Sequence, residues 1–75
     1  MDAKIVGKII RFHRNQAGLS QEELATLAGV GKTAVFDVEN GKTNYRFSTL
    51  SKLLEALNIH VKFESQLMRL FDENC

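Results

Sequence analysis

Apolar side chains recur three and four residues apart in four successive stretches of the chain, which is the spacing of amphipathic helices. These stretches cover residues 4–17, 20–29, 31–40 and 48–58. The strictest pattern is in the last stretch, with Leu50, Leu53, Leu54 and Leu57. The pattern therefore predicts a helical domain whose fourth helix closes the core.

The two short helices between Ser20 and Asn40 have the clearest boundary signals. Ser20 is expected to cap the first helix, and Glu23, three residues later, to complete a capping box. Gly29 is expected to end that helix, because a residue without a Cβ adopts the left-handed conformation at least cost, and Val30 to fill the turn. The apolar faces comprise Leu24, Ala25, Leu27 and Ala28 in the first helix and Val35 and Val38 in the second. This arrangement predicts a helix-turn-helix, with an ordinary αα-hairpin as the alternative.

The flanking helices also have signals at their ends. Gly18 is expected to close the first helix and Leu19 to anchor the chain before the second. Ser48 is expected to cap the fourth helix and Asn58 to end it. Two rows run along the first helix, Ile5, Ile9 and Phe12 in one and Val6, Ile10, His13 and Ala17 in the other. His13 extends an apolar row and has no second ligand at useful spacing, which favours a packing role.

The period changes from 3.6 to 2 after the fourth helix. Ile59, Val61 and Phe63 alternate with polar residues and are β-branched or aromatic, which predicts a β-strand. A lone strand leaves its backbone groups unpaired. We therefore expect it to pair with the same strand of a second copy, which makes these three residues the predicted dimer interface. An extended tail packed on its own domain is the alternative.

The last eleven residues are compatible with a short helix. Leu67, Leu70 and Phe71 share one helical face and are followed by acidic residues. Such a helix would lie on the dimer sheet or offer an apolar anchor to another protein. Frayed termini are common, so the pattern does not decide between these.

Composition narrows the class of protein further. The 75 residues suffice for one small domain, and the formal net charge is +1. Residues 1–47 carry a net +2 and the remainder −1, which permits a phosphate-facing N-terminal half. With Cys75 as the only cysteine, no leader and no membrane-length apolar run, we expect a cytoplasmic protein. His13, His60 and Cys75 are isolated, so we expect no enzyme, metal, cofactor or small-molecule ligand.

The block GLSQEELATLAGVGKTAVFDVENGK resembles the lambda-repressor-like, or XRE, helix-turn-helix family, and the flanking helices extend the resemblance over about residues 4–58. The resemblance implies a mainly α domain of four to five helices over residues 1–58, with the motif at residues 20–40. Residues 59–75 would then form the dimerising strand and a short tail. A helix-turn-helix domain that closes with one strand pairing across a homodimer is similar to HipB-type antitoxins.

The resemblance also implies which residues face double-stranded operator DNA: Gln21, Gly31, Lys32, Thr33 and Phe36. The chemistry of their side chains adds Asp37 and the loop residues Lys42, Asn44, Tyr45 and Arg46 as further candidates. Lys32 is the long donor of the second motif helix and would bind either guanine or a phosphate. Phe36 would pack on thymine methyl groups or remain an apolar surface residue, and Asp37 would accept from a cytosine amine, face solvent or pair with a lysine. Gln21 matches the family glutamine that contacts a phosphate. The loop from Lys42 to Arg46 would bind phosphate oxygens, or be solvated with Tyr45 and Phe47 on the core.

HipB-type proteins repress their own operon and restrain a HipA-like serine/threonine kinase toxin, and related systems split the toxin into further components. The resemblance therefore implies a sequence-specific repressor that is the antitoxin of such an operon. A module that mainly binds a partner protein and a stand-alone phage or housekeeping repressor are the alternatives. We expect no membrane partner.

Overall fold

Five helices account for most of residues 2–74, the part of the chain that the computed structural model describes. They are α1 (Ala3–Gln16), α2 (Gln21–Ala28), α3 (Lys32–Glu39), α4 (Phe47–Ala56) and α5 (Met68–Asn74). α2 packs against α3 and α4, and α1 packs against α3. The prediction of a mainly helical domain is confirmed.

The core lies where the first four helices meet. Its fully buried side chains are Ile10, Leu24, Val35, Val38 and Leu53. Around them, the apolar residues Val6, Leu19, Ala28, Val30, Tyr45, Leu54, Ala56, Leu57 and Ile59 are partly buried against the same cluster. Each of the first four helices contributes at least one fully buried residue, so one cluster fixes their mutual orientation.

The start of α2 and the turn after it have the expected geometry. The Ser20 hydroxyl accepts a hydrogen bond from the Glu23 N–H at 3.0 Å, and the Glu23 carboxylate accepts one from the Ser20 N–H at 2.8 Å. Gly29 ends the helix with φ +74°. Val30 then donates its N–H to the Ala25 carbonyl at 3.0 Å, and its side chain packs on the core. The predicted capping box, glycine stop and turn residue are confirmed.

Replacing Ser20 with alanine should lower the free energy of unfolding by about 1 kcal/mol, because the first turn of α2 loses its capping oxygen. The hydrogen bonds from the Ser20 backbone and hydroxyl hold the pKa of Glu23 below its ordinary value. The capping box therefore stabilises the fold above the unfolded-state pKa and ceases to do so as the pH falls through the folded-state pKa. Urea unfolding and an NMR titration measure both effects. A Glu23 pKa that does not rise in Ser20→Ala would contradict the assignment.

Two predicted apolar faces are only partly buried. In α1, Ile10 is buried and Val6 is half-buried, but the row of Ile5, Ile9 and Phe12 is exposed. Leu27 of α2 is also exposed. The physical reason is that α1 and α2 each turn one side to the other helices, and these four residues lie outside it.

The boundaries of α4 differ from the prediction at one end. The helix begins at Phe47 with Arg46 as its N-cap, so Ser48 lies inside the first turn and caps nothing. At the other end Asn58 has φ +58°, and the Ile59 N–H donates to the Leu54 carbonyl at 2.8 Å. Asparagine tolerates this left-handed conformation better than most residues, so the predicted stop at Asn58 is confirmed.

Residues 59–65 form neither helix nor strand, and no strand occurs in the described range 2–74. Ile59 packs against the core of its own chain, whereas Val61 and Phe63 are exposed. A strand needs a hydrogen-bonding neighbour, and one chain supplies none here. The dimeric strand pairing stays a prediction. The short C-terminal helix does form, as α5, while Cys75 lies outside the described residues.

Candidate nucleic-acid interface

α3 is buried along one side and exposed along the other. Val35 and Val38 are fully buried, whereas Lys32, Thr33 and Phe36 are exposed. Residues three and four positions apart share a helical face, so the exposed set forms one continuous surface. The N-terminal half of α3 is therefore presented outward by a packed framework, as a recognition helix requires.

The start of α3 lacks a side-chain cap. Gly31 is the N-cap residue, with φ −76°, and makes no capping hydrogen bond through a side chain. The first N–H groups of a helix have no acceptor inside the helix and carry partial positive charge. The exposed Gly31 therefore leaves the start of α3 open to an acceptor from outside the chain.

One cation of this surface is already paired. Lys42 Nζ lies 3.3 Å from an Asp37 carboxylate oxygen and 6.0 Å from the centre of the Phe36 ring. The half-buried Asp37 therefore has the lysine-paired arrangement that was one of its three predicted roles. Lys32, by contrast, forms no ion pair within residues 2–74. Lys32 is thus the long donor of α3 that remains available.

The loop after α3 divides into exposed and packed residues. Asn44 and Arg46 are exposed, and Tyr45 is half-buried against the core. Phe47 does not join Tyr45 there, since it is 79% exposed. The alternative in which both aromatic rings lie on the core is therefore right for Tyr45 and wrong for Phe47.

Gln21 lies at the start of α2, and its side chain has a partner inside the protein. Its Nε2 donates to the Glu39 carboxylate at 3.2 Å, and the residue is half-buried. This bond fixes the amide orientation and leaves the side-chain oxygen and the backbone N–H as the remaining polar groups. A phosphate contact by Gln21 stays a prediction.

A buried ion pair holds the end of α3 against α1, and the sequence reading missed it. Arg14 donates two hydrogen bonds to the Glu39 carboxylate, from Nε at 2.6 Å and from Nη2 at 3.0 Å. Its third nitrogen, Nη1, donates to the Leu19 carbonyl at 2.9 Å. The Glu39 side chain is 1% exposed and that of Arg14 11%. The hydrogen bond with Glu39 raises the pKa of Arg14 above its ordinary value, against the opposing effect of burial. A signal existed, because Glu39 follows Val35 by four residues on the buried side of α3.

His13 has local contacts that fit a packing role. Its Nδ1 lies 2.7 Å from the Ile9 carbonyl oxygen, and its ring meets the Phe12 ring edge-on with centroids 5.5 Å apart.

Within residues 2–74, no three His, Cys, Asp or Glu side chains are grouped closely enough to hold a metal ion. In the same range, no helix is both long enough and apolar enough to cross a bilayer.

A two-helix unit with a tight glycine turn and an outward-facing second helix defines a helix-turn-helix DNA-binding domain. The profile of the helix-turn-helix family matches residues 10–63. The chain belongs to this XRE-type family and is a DNA-binding transcriptional regulator.

Three relatives show the range of the family. The chain is 42% identical over 62 residues to control protein C.SmaI of Serratia marcescens. This match covers 81% of this chain and 74% of the relative. It is 32% identical over 59 residues to the ImmF control region 10 kDa protein of Bacillus phage phi105, covering 79% and 66%. It is 32% identical over 56 residues to the competence pilus inhibition repressor of Acinetobacter baylyi, covering 75% and 51%.

Proposed function

We propose that the chain is a homodimeric, sequence-specific repressor that binds an operator in its own upstream region. The observation that carries this proposal is the outward face of α3, where Lys32, Thr33 and Phe36 lie exposed beside the uncapped Gly31. The relatives include a control protein, a protein of a phage control region and a repressor, which supports the same role.

Base readout would come from the first turns of α3. Lys32 donates to guanine O6 and N7 in the major groove, and Thr33 bonds a base or touches a thymine methyl group. Phe36 offers an apolar surface for thymine methyl groups, and its neighbour Asp37 stays paired with Lys42. Gly31 contributes no side chain, so readout at that position is weak.

Backbone contacts would come from both sides of the recognition helix. The position of Gln21 at the start of α2 would place it against one phosphate. In the loop, the exposed Asn44 and Arg46 would reach phosphate oxygens, and the half-buried Tyr45 would add its hydroxyl as a donor. Lys42 would contact a phosphate while it stays paired with Asp37. These contacts position the protein and make affinity fall with salt.

The dimer would form by antiparallel pairing of residues 59–64 with their copy. Val61 and Phe63 are exposed in one chain, and burying them against a second copy is favourable. Two recognition helices would then lie about 34 Å apart, one turn of DNA, on a palindromic site. A single copy, with few cations on its surface, would bind weakly.

A titration of labelled duplexes tests the function. The duplex from the upstream region of the protein's own gene should bind tightly, and a scrambled duplex of equal length and composition should bind at least about 1,000-fold more weakly. Sedimentation equilibrium of the free protein measures the dimer separately. Equal affinity for the two duplexes would overturn sequence-specific repression, whatever the oligomeric state.

Replacing Lys32 with alanine should weaken operator binding by about 1–3 kcal/mol and relax the preference at one base pair, because a bidentate base contact is lost. The matched control is Lys52→Ala, which removes an exposed lysine of α4 outside the recognition helix. Competition with operators changed at each position measures the preference. If Lys32→Ala loses affinity equally for all of them, Lys32 contacts a phosphate.

A second proposed role is that of a HipB-like antitoxin that also holds a HipA-like serine/threonine kinase toxin or its split components. The supporting observation is that Phe12 of α1 and Leu27 of α2 are exposed apolar residues on helices other than α3. Co-expression with the product of the neighbouring gene tests this role. Failure to co-purify with that product, with operator binding intact, would leave a repressor that acts alone.

A further inference from the structure

The outward face of α3 carries a carboxylate that is paired with a lysine of the following loop. Asp37 follows Thr33 by four positions and therefore lies on the same side of the helix. Its carboxylate is 3.3 Å from Lys42 Nζ, and the Asp37 side chain is 19% exposed and that of Lys42 54%. The surface proposed to face DNA thus holds a negative charge together with the cation that offsets it.

The backbone holds Lys42 beside the last turns of α3. Gly41 has φ +76° and donates its N–H to the Val38 carbonyl at 3.1 Å, which reverses the chain directly after the helix. The Lys42 N–H then donates to the Asp37 carbonyl at 3.0 Å. Lys42 Nζ also lies 6.0 Å from the centre of the Phe36 ring. A backbone hydrogen bond and an ion pair therefore join the same two residues, Asp37 and Lys42.

The other long cations proposed to reach DNA have no such partner. Neither Lys32 nor Arg46 forms an ion pair within residues 2–74. Each presents its full charge, whereas that of Lys42 is offset by the nearby carboxylate. An exposed ion pair adds only about 0–1 kcal/mol to stability. The pair between Asp37 and Lys42 therefore matters more for the charge of this surface than for the fold.

The charge of Lys42 bears on specificity because phosphates are alike in every DNA sequence. A free lysine that neutralises a phosphate raises affinity for operator and non-operator DNA together, since this contact carries no base information. Viewed from a phosphate, a lysine paired at 3.3 Å is one end of a dipole, which attracts much less than a free cation. Pairing therefore weakens one sequence-independent contact and leaves discrimination to the base contacts proposed for Lys32 and Thr33.

We propose that Asp37 is a specificity-determining residue that acts through Lys42. By pairing with this lysine, Asp37 lowers affinity for non-operator DNA, because an unpaired Lys42 would bind the phosphates of any sequence. Asp37 is in this respect a positioning residue, since its effect on DNA passes through a second side chain. The inference rests on the proposed sequence-specific repressor.

Titrations of a scrambled duplex with Asp37→Asn test the proposal. The substitution keeps the size of the side chain and removes its charge. Affinity for the scrambled duplex should rise about fivefold at about 0.1 M salt, and the slope of log affinity against log salt should steepen by about 0.9, as for one more neutralised phosphate. Affinity for the duplex from the upstream region of the gene should rise less than about twofold, because the paired Lys42 already contacts a phosphate there. An unchanged slope, or an equal rise for both duplexes, would overturn the proposal.

Two further variants separate the ion pair from overall charge. Glu55→Gln removes the same charge from an exposed carboxylate of α4, and its slope on the scrambled duplex should equal that of the parent. In a Lys42→Ala background, Asp37→Asn should leave the slope unchanged, because no lysine remains to be freed. Circular dichroism checks that all variants fold. A steeper slope in either case would contradict action through Lys42.

The two proposals fail in different ways. A parent protein that binds both duplexes with equal affinity would overturn the proposed repressor and the specificity role of Asp37 with it. A parent protein that prefers its operator, combined with an Asp37→Asn variant whose salt slope is unchanged, would overturn the role of Asp37 alone.

Discussion

Replacing Arg14 with alanine should lower the free energy of unfolding by about 3–5 kcal/mol, the usual cost of leaving one member of a buried ion pair alone. The Glu39 carboxylate would then lie at a site where its side chain is 1% exposed, with the 3.2 Å hydrogen bond from Gln21 and the Arg11 Nε 4.0 Å away as its remaining polar contacts. The Leu19 carbonyl would lose its hydrogen bond as well. Urea unfolding at neutral pH measures the loss, which is a large part of the stability of a small domain.

The control for this prediction removes both charges together. Arg14→Met combined with Glu39→Met should cost much less than the sum of the single changes, since no unpaired charge remains buried. If the double variant loses as much free energy of unfolding as the two single variants together, the two charges are not coupled. The contribution of Arg14 then comes from packing alone.

The same ion pair also bears on DNA binding. Glu39 is the last residue of α3, so its bonds to Arg14 of α1 and Gln21 of α2 fix the recognition helix to both of its neighbours. In the proposed complex, a rigid arrangement would keep Lys32 and Thr33 in register with base edges. Variants that break the pair should therefore lose operator affinity even where the domain still folds.

The helix-turn-helix could be predicted from the sequence because its determinants are local. Ser20 and Glu23 lie three residues apart and satisfy each other's backbone groups, and Gly29 lacks the Cβ that makes a left-handed stop costly. The outward position of Lys32 and Thr33 follows from the placement of Val35 on the buried side. These signals involve residues within one helical turn of each other, so they can be recognised without knowing the tertiary contacts.

What the sequence did not reveal depends on contacts between distant residues. Arg14 and Glu39 are 25 positions apart, and in α1 Arg14 looked like one more solvated cation beside Lys8 and Arg11. The row of Ile5 and Ile9 has the spacing of a buried helix face, yet both residues are exposed. Periodicity identifies an apolar face but does not tell whether the same chain or a second copy covers it.

The segment after α4 shows the same limit. The alternation of Ile59, Val61 and Phe63 predicts a strand, yet a strand is defined by its hydrogen-bonded neighbour. In one chain that neighbour is missing from the described residues, so the backbone of residues 59–65 stays irregular. The pattern and the structure are compatible if the strands pair between two chains.

Replacing Gly7 with alanine should destabilise the domain by about 2 kcal/mol or more, although helix propensity alone favours alanine by about 1 kcal/mol. Gly7 is buried where α1 crosses the end of α3. A Cβ at this position would meet the carbonyl oxygen of Val38 and lie 2.8 Å from that of Glu39. Both are backbone atoms that cannot rotate away, so α1 must shift outward and overpacking exceeds the gain in propensity.

Gly31→Ala is the matched control, because a Cβ there meets nothing within 4 Å and the φ of −76° suits alanine. Gly31→Ala should lower the free energy of unfolding by no more than about 1 kcal/mol, because helix N-caps prefer glycine to alanine. Thermal and urea unfolding of the two variants give the comparison. A Gly7→Ala protein as stable as the parent would mean that α1 does not approach α3 this closely. In that case the bonds from Arg14 to Glu39 would have to form across a wider crossing.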